Sequence, residues 1–263
     1  PIPEFTGVFD GNFYGIKHLD ISPSGTDWEE NMHYAMFEEL DGEALVKRLD
    51  LIDINVRVTG NGSNIYYVAS MAGNMEGGQI RESRVTGFIF GEDEVGGIVG
   101  KLNSNASISS VTNKAIVRSR GYGLGGIAYR SSGTIIDTNF IGALIYDYFR
   151  VYDVGGIVAV MSSGSIRRGY VSANLTSSPS NFYSPARVGN IVGSALGGSV
   201  SRFIYDATKN SDYMHNFDGE GSGTNFSNIS GIATGSFDDE SRLNNELLVS
   251  NYGWVVTPGF NRM

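Results

Sequence analysis

The chain has 263 residues, 41% of them hydrophobic and 18% charged, a balance that supplies an ordered core and excludes wholesale disorder. A net charge of −9 argues against nucleic acid, whose backbone recruits Lys and Arg to displace counterions, and against an anionic membrane surface. With no cysteine, disulfides, cysteine–zinc sites and thiol catalysis are excluded together.

The chain opens Pro1-Ile2-Pro3-Glu4-Phe5, with neither an initiator Met nor a basic–apolar leader, and reads as a piece of a longer protein. No run of about 18 apolar residues follows, so membrane insertion is not expected. Instead a short phrase recurs at intervals of about thirty residues. A degenerate copy, His33-Tyr34-Ala35-Met36-Phe37, precedes Val68-Ala69-Ser70-Met71-Ala72-Gly73 and Val95-Gly96-Gly97-Ile98-Val99-Gly100. Leu124-Gly125-Gly126-Ile127-Ala128, Val154-Gly155-Gly156-Ile157-Val158 and Val188-Gly189-Asn190-Ile191-Val192-Gly193 complete the series. Self-similarity at a fixed period means stacked copies of one unit that cannot bury its apolar face alone.

Behind each anchor runs a second pattern, an aliphatic residue followed by regular positions at +3 and +5. It reads Ile16/Leu19/Ile21, Val46/Leu49/Leu51, Ile80/Ser83/Val85, Ile108/Val111/Asn113, Ile135/Thr138/Phe140, Ile166/Gly169/Val171 and Val200/Phe203/Tyr205. A third β-rich stretch, such as Ala115-Ile116-Val117, leads to the next anchor. Helical repeats share the period but need i, i+3, i+4, i+7 spacing and strong helix formers. The repeats are rich in Gly, Ser, Thr, Val and Ile, which oppose helix. The expectation is an all-β, right-handed parallel β-helix of about seven coils, occupying residues 1–207, with the anchor glycines at a sharp bend.

From about Thr208 the repeat is expected to fade into an irregular tail, residues 208–263. There Ser236-Phe237-Asp238-Asp239 offers a helix start, Phe237, Leu243, Leu247 and Leu248 follow, and Trp254 lies behind. Residues 236–250 are therefore expected to form a short helix capping the last coil.

The phrase running from Phe5-Thr6-Gly7-Val8-Phe9-Asp10-Gly11 through Asn12-Phe13-Tyr14-Gly15-Ile16 to Lys17-His18-Leu19-Asp20-Ile21, followed by Gly-Gly-Ile-Val-Gly anchors, resembles the GLUG repeat family. More narrowly, it is similar to the GLUG-containing β-helical region of Gram-positive IgA-specific zinc metallopeptidases. The resemblance implies a non-catalytic module of an exported, secreted or cell-wall-attached bacterial protein, positioning a protein substrate. It implies immunoglobulin A or another host protein as partner, with glycan as an alternative. The His-Glu-x-x-His motif of those peptidases is absent, since none of His18, His33 and His215 is followed by Glu. An adhesin or stalk domain is the second reading and a polysaccharide-active β-helix the third.

Candidate chemistry is sparse. The three histidines show no i, i+4 pairing, and His33 reads as a replacement for an anchor Val. Glu92-Asp93-Glu94 and Asp147 with Asp153 are candidate paired acids that read as solvated rather than catalytic, and Asp10-Gly11-Asn12 reads as a turn whose side chains bond backbone. No catalytic residue, metal ligand or cofactor is assigned. What stands out is the loop before each anchor, because equivalent loops of successive coils stack into one surface. These loops carry Glu92-Asp93-Glu94, then Arg120 and Tyr122, then Tyr148, Phe149, Arg150 and Tyr152, then Phe182, Tyr183 and Arg187. Tyr, Phe and Arg on one rim are residue types that anchor partners. The competing explanation is that Tyr148, Tyr152 and Tyr183 stack on one another and stiffen a strand row.

Overall fold

The computed structural model describes residues 1–23, 33–59, 67–146, 152–177, 187–206, 208–209 and 224–232. Among these residues every strand pairing is parallel and joins a strand to its counterpart about one repeat away, the topology of a β-solenoid. One coil shows the path. Glu94–Gly96 lies in a six-stranded sheet, the chain turns through Gly97 and Ile98, and Val99–Leu102 joins a seven-stranded sheet. Ala106 N donates to Asn103 O at 3.1 Å to close the next turn. Ser107–Asn113 and Ile116–Ser119 then run along the largest, fourteen-stranded sheet before the loop to the next coil. The six-stranded sheet marks about six full turns, against about seven expected from the repeat count.

Stacking in register is what the anchor glycines permit. A Cβ on Gly97 would overlap the Gly126 carbonyl oxygen one coil on, and one on Gly126 would overlap the carbonyl oxygen of Gly156. Where Ser70 takes this corner, its hydroxyl donates to Gly97 O at 2.6 Å. Inside the coils Val46, Ile80, Ile108, Ile135, Ile166 and Val200 form one buried column, and Ile98, Ile127, Ile157 and Ile191 another. Each such side chain contributes about 1.5–3 kcal/mol by leaving water, so the column holds the coils together.

The +3/+5 spacing has a backbone cause. Arg48, Glu82, Ser110, Asp137, Arg168, Arg202 and Asn228 all take left-handed conformations, with φ between 51° and 55°. Each stands two residues after the aliphatic column. A left-handed residue there points outward and returns the +3 side chain to the interior, breaking simple alternation. Accordingly Leu49, Ser83, Val111, Thr138 and Phe203 are all buried.

Three expectations need correction. Ile16/Leu19/Ile21 is not the counterpart of Val46/Leu49/Leu51. Phe9 lies opposite Val46, while Ile16 and Ile21 lie opposite Leu51 and Val56. The first coil bends with two left-handed residues, Asn12 and Phe13, and a second bend at His18 reproduces the same spacing. His33 does not replace an anchor Val: it pairs with Tyr67, and Tyr34 stands opposite Val68. The ladder also does not end at residue 207, because Thr224–Ile232 adds a further parallel rung, with Phe226 opposite Val200. The expected capping helix at 236–250 and Trp254 lie outside the described residues, and no helix occurs among those described.

Candidate functional site

The surface of interest is the corner where the fourteen-stranded sheet hands over to the six-stranded one. Along Ile116–Ser119 and beyond, Val117 and Ser119 face inward while Arg118, Arg120 and Tyr122 face out. The loop is pinned by Ser119, whose hydroxyl donates to Asp93 O at 2.8 Å and accepts from Gly121 N at 3.1 Å. Successive loops bond to one another: Tyr152 N donates to Tyr122 O at 3.0 Å, and Arg187 N to Tyr152 O at 2.9 Å. Tyr122 and Tyr152 are 51% and 53% exposed, and their rings stack at 6.0 Å and 25°.

Beneath them Asp153 is 6% exposed and accepts two bonds from Arg187, at 2.6 and 3.2 Å. Burial pushes the Asp153 carboxyl up from its ordinary value, and the Arg187 guanidinium pulls against that shift. Of the eight expected partner-binding residues, Tyr122 and Tyr152 thus meet on one exposed face, whereas Arg187 stands in register with the buried Asp153 and turns its guanidinium to that carboxylate. Tyr148, Phe149, Arg150, Phe182 and Tyr183 lie outside the described residues.

Sequence reasoning placed Arg120 on this corner but missed the group it joins. Phe90 sits on the same outer face, opposite Arg57 in one adjacent coil and Arg118 in the other. The guanidinium carbons of Arg57, Arg118 and Arg120 lie 5.8, 5.6 and 5.4 Å from its ring centroid. Three cations over one aromatic leave Phe90 only 4% exposed. Arg120 also approaches Glu92 at 3.8 Å.

A second missed group fills the elbow between the six- and seven-stranded sheets. Glu94 is 5% exposed, not the solvated turn acid expected, because its strand faces Tyr129 and pairs with Tyr67. The Tyr67 and Tyr129 hydroxyls and the positive charge of Arg130 favour the ionised form of its carboxyl. Burial nevertheless prevails and raises the Glu94 carboxyl above its ordinary value. The same desolvation pushes Tyr67 up to about 12. His33 stacks on Tyr67 at 5.2 Å, and burial lowers its imidazole. Such an elbow lies outside the aliphatic core, so hydrophobic alternation carries no sign of it.

A cavity of about 280 Å³ runs along the left-handed bends, lined by Phe13, Asp50, Glu82, Arg84, Lys114 and Asp137 among others. Its carboxylates stand beside guanidinium groups: Asp50 with Arg84 at 3.3 Å, Asp137 with Arg168 at 2.7 Å, and Glu82 with Arg81 at 4.0 Å. Among the described residues no group of three or more His, Asp or Glu converges as a metal site.

The fold and this corner define a parallel β-solenoid that displays tyrosine and arginine along one edge. No protein-family model matches the chain, so its likeness to the GLUG repeat rests on the quoted residues. The chain is similar to halomucin of Haloquadratum walsbyi, with 28% identity over 109 residues, 41% of this chain and 1% of halomucin. A crystal structure of a Bacteroides ovatus protein, provisionally designated an immunoglobulin A1 protease, superposes with a TM-score of 0.69 at 20% identity. That superposition covers 97% of this chain and 75% of the other. At such identity the likeness is one of fold.

Proposed function

We propose that this chain is a non-catalytic recognition module of an exported bacterial surface protein, holding a protein partner against the Tyr122–Tyr152 corner. The parent is read as a metallopeptidase resembling the IgA-specific class, with its zinc site outside the sequence in hand. The observation that carries the reading is the exposed, stacked tyrosine pair on loops that the solenoid fixes in register. The fold shared with the Bacteroides ovatus protein supports the protease context, and the stretch similar to halomucin supports a secreted or surface location.

An adhesin or stalk domain is the second reading, favoured by the same halomucin stretch. The polysaccharide-active reading draws little support, since the carboxylates lining the cavity each stand beside an arginine rather than facing one another as a free pair. Titrating the chain against immobilised human immunoglobulin A tests the leading reading. Saturable binding is expected, and no detectable affinity would count against it.

A further inference from the structure

In a chain of net charge −9, three of the 19 basic side chains crowd one ring, Phe90. Arg57 and Arg118 have no ion pair with any described carboxylate, and Arg118 Nε is buried without an acceptor. The nearby acid, Glu92, stands by Arg120. Arg57 and Arg118 thus carry positive charge that no described carboxylate pairs with, and they are already ordered, by the ring and by parallel strands on either side. Ordered guanidinium forks match planar carboxylates and can bind them with two parallel bonds.

We propose that Arg57, Arg118 and Arg120 around Phe90 form a docking site for a short acidic segment, Asp or Glu side chains, of a protein partner. The proposal rests on the reading of the corner as a recognition surface and names the chemistry of what it recognises. Two features select an acidic peptide. The domain's overall negative field repels a long polyanion, so the complementary charge is short and local. The exposed Tyr122 lies two residues from Arg120 on the same loop, and both Tyr and Arg are among the residue types enriched in protein-binding hot spots.

The test uses the full chain and a fluorescein-labelled tetraglutamate peptide, followed by anisotropy in low-salt buffer. Wild type is expected to bind, with affinity falling as salt rises. Arg57→Gln/Arg118→Gln should weaken binding about tenfold or more, the loss typical of charge-assisted bonds. Lys17→Gln/Arg167→Gln removes the same charge from exposed positions elsewhere and should leave binding within about twofold. Arg57→Lys/Arg118→Lys, which keeps charge and removes the forks, should fall between. Glu92→Gln, by removing a negative charge beside the patch, should tighten it. Equal binding by wild type and the Arg57→Gln/Arg118→Gln variant, both folded by thermal melting, would overturn the proposal. So would a glucuronate tetrasaccharide that binds through these arginines more tightly than the peptide. If the peptide binds through the arginines and immunoglobulin A does not bind at all, this site stands and the immunoglobulin reading falls.

Discussion

Asn113 donates from Nδ2 to the carbonyl oxygen of Gly126 at 2.7 Å and accepts at Oδ1 from Ala115 N at 2.9 Å. One fully buried amide thus ties a turn of the large sheet to the glycine corner of the next coil. In that next coil Phe140 stands in register with Asn113, and its ring fills the space where a Gly126 side chain would lie. Replacing Asn113 by Leu leaves a buried donor and a buried acceptor without partners. It should cost about 2–4 kcal/mol in denaturant unfolding. A loss under about 0.5 kcal/mol would show that the corner does not depend on this amide.

Gly126→Ala tests the same corner from the other side. The added methyl meets the Gly156 carbonyl and the Phe140 ring, neither of which is the free end of a flexible chain. Destabilisation of about 3 kcal/mol is expected by urea unfolding, against little change for Gly42→Ala in space alone, where nothing lies within 4 Å. Gly42 has φ 59°, so its substitution carries backbone strain instead, on the order of 1 kcal/mol.

The left-handed column gives a third prediction. Ser110 is exposed with φ 55°, so its cost is backbone strain rather than lost packing. Ser110→Val places a β-branched residue in that conformation and should be less stable than Ser110→Gly by about 2 kcal/mol. Equal stability would show that the bend is not fixed at this residue.

The +3/+5 spacing was legible in the sequence while its cause was not. The bend residues are Arg, Glu, Ser, Asp, Arg, Arg and Asn, of which Asp and Asn alone favour a left-handed backbone. The corner loops were legible because a recurring anchor fixes the position of whatever precedes it, so Tyr122 and Tyr152 could be placed on one edge. Their stacking on each other was not foreseen, the expected stack being Tyr148, Tyr152 and Tyr183, of which Tyr148 and Tyr183 lie outside the described residues. The Phe90 cluster was not legible, since Arg57, Phe90 and Arg118 lie mid-strand and meet only through exact coil length. Glu94 was misread because the elbow that buries it is made by Tyr67 and Tyr129 from neighbouring coils, outside the aliphatic interior.

Glu94 predicts a pH dependence with a definite sign. Its folded-state value is raised by burial, so the folded protein holds this proton more tightly than the unfolded chain. The stability it supplies is present below the ordinary glutamate value and is lost as pH rises through the raised one. His33, lowered by burial, acts oppositely: its contribution is present at higher pH and is lost as pH falls. The comparison is therefore between wild type and Glu94→Gln across mildly acidic to mildly alkaline buffers. The variant should lose less stability on going alkaline, and parallel curves would contradict the assignment.

The central claim, that the corner before the anchors is the recognition surface, is tested most directly by binding to human immunoglobulin A of the wild type and Tyr122→Ala/Tyr152→Ala. Both residues are more than half exposed, so folding should survive their truncation, which circular dichroism and thermal melting would check. The account predicts saturable binding by wild type and a loss of about tenfold or more in the double variant. Undiminished binding by a folded Tyr122→Ala/Tyr152→Ala protein would contradict it.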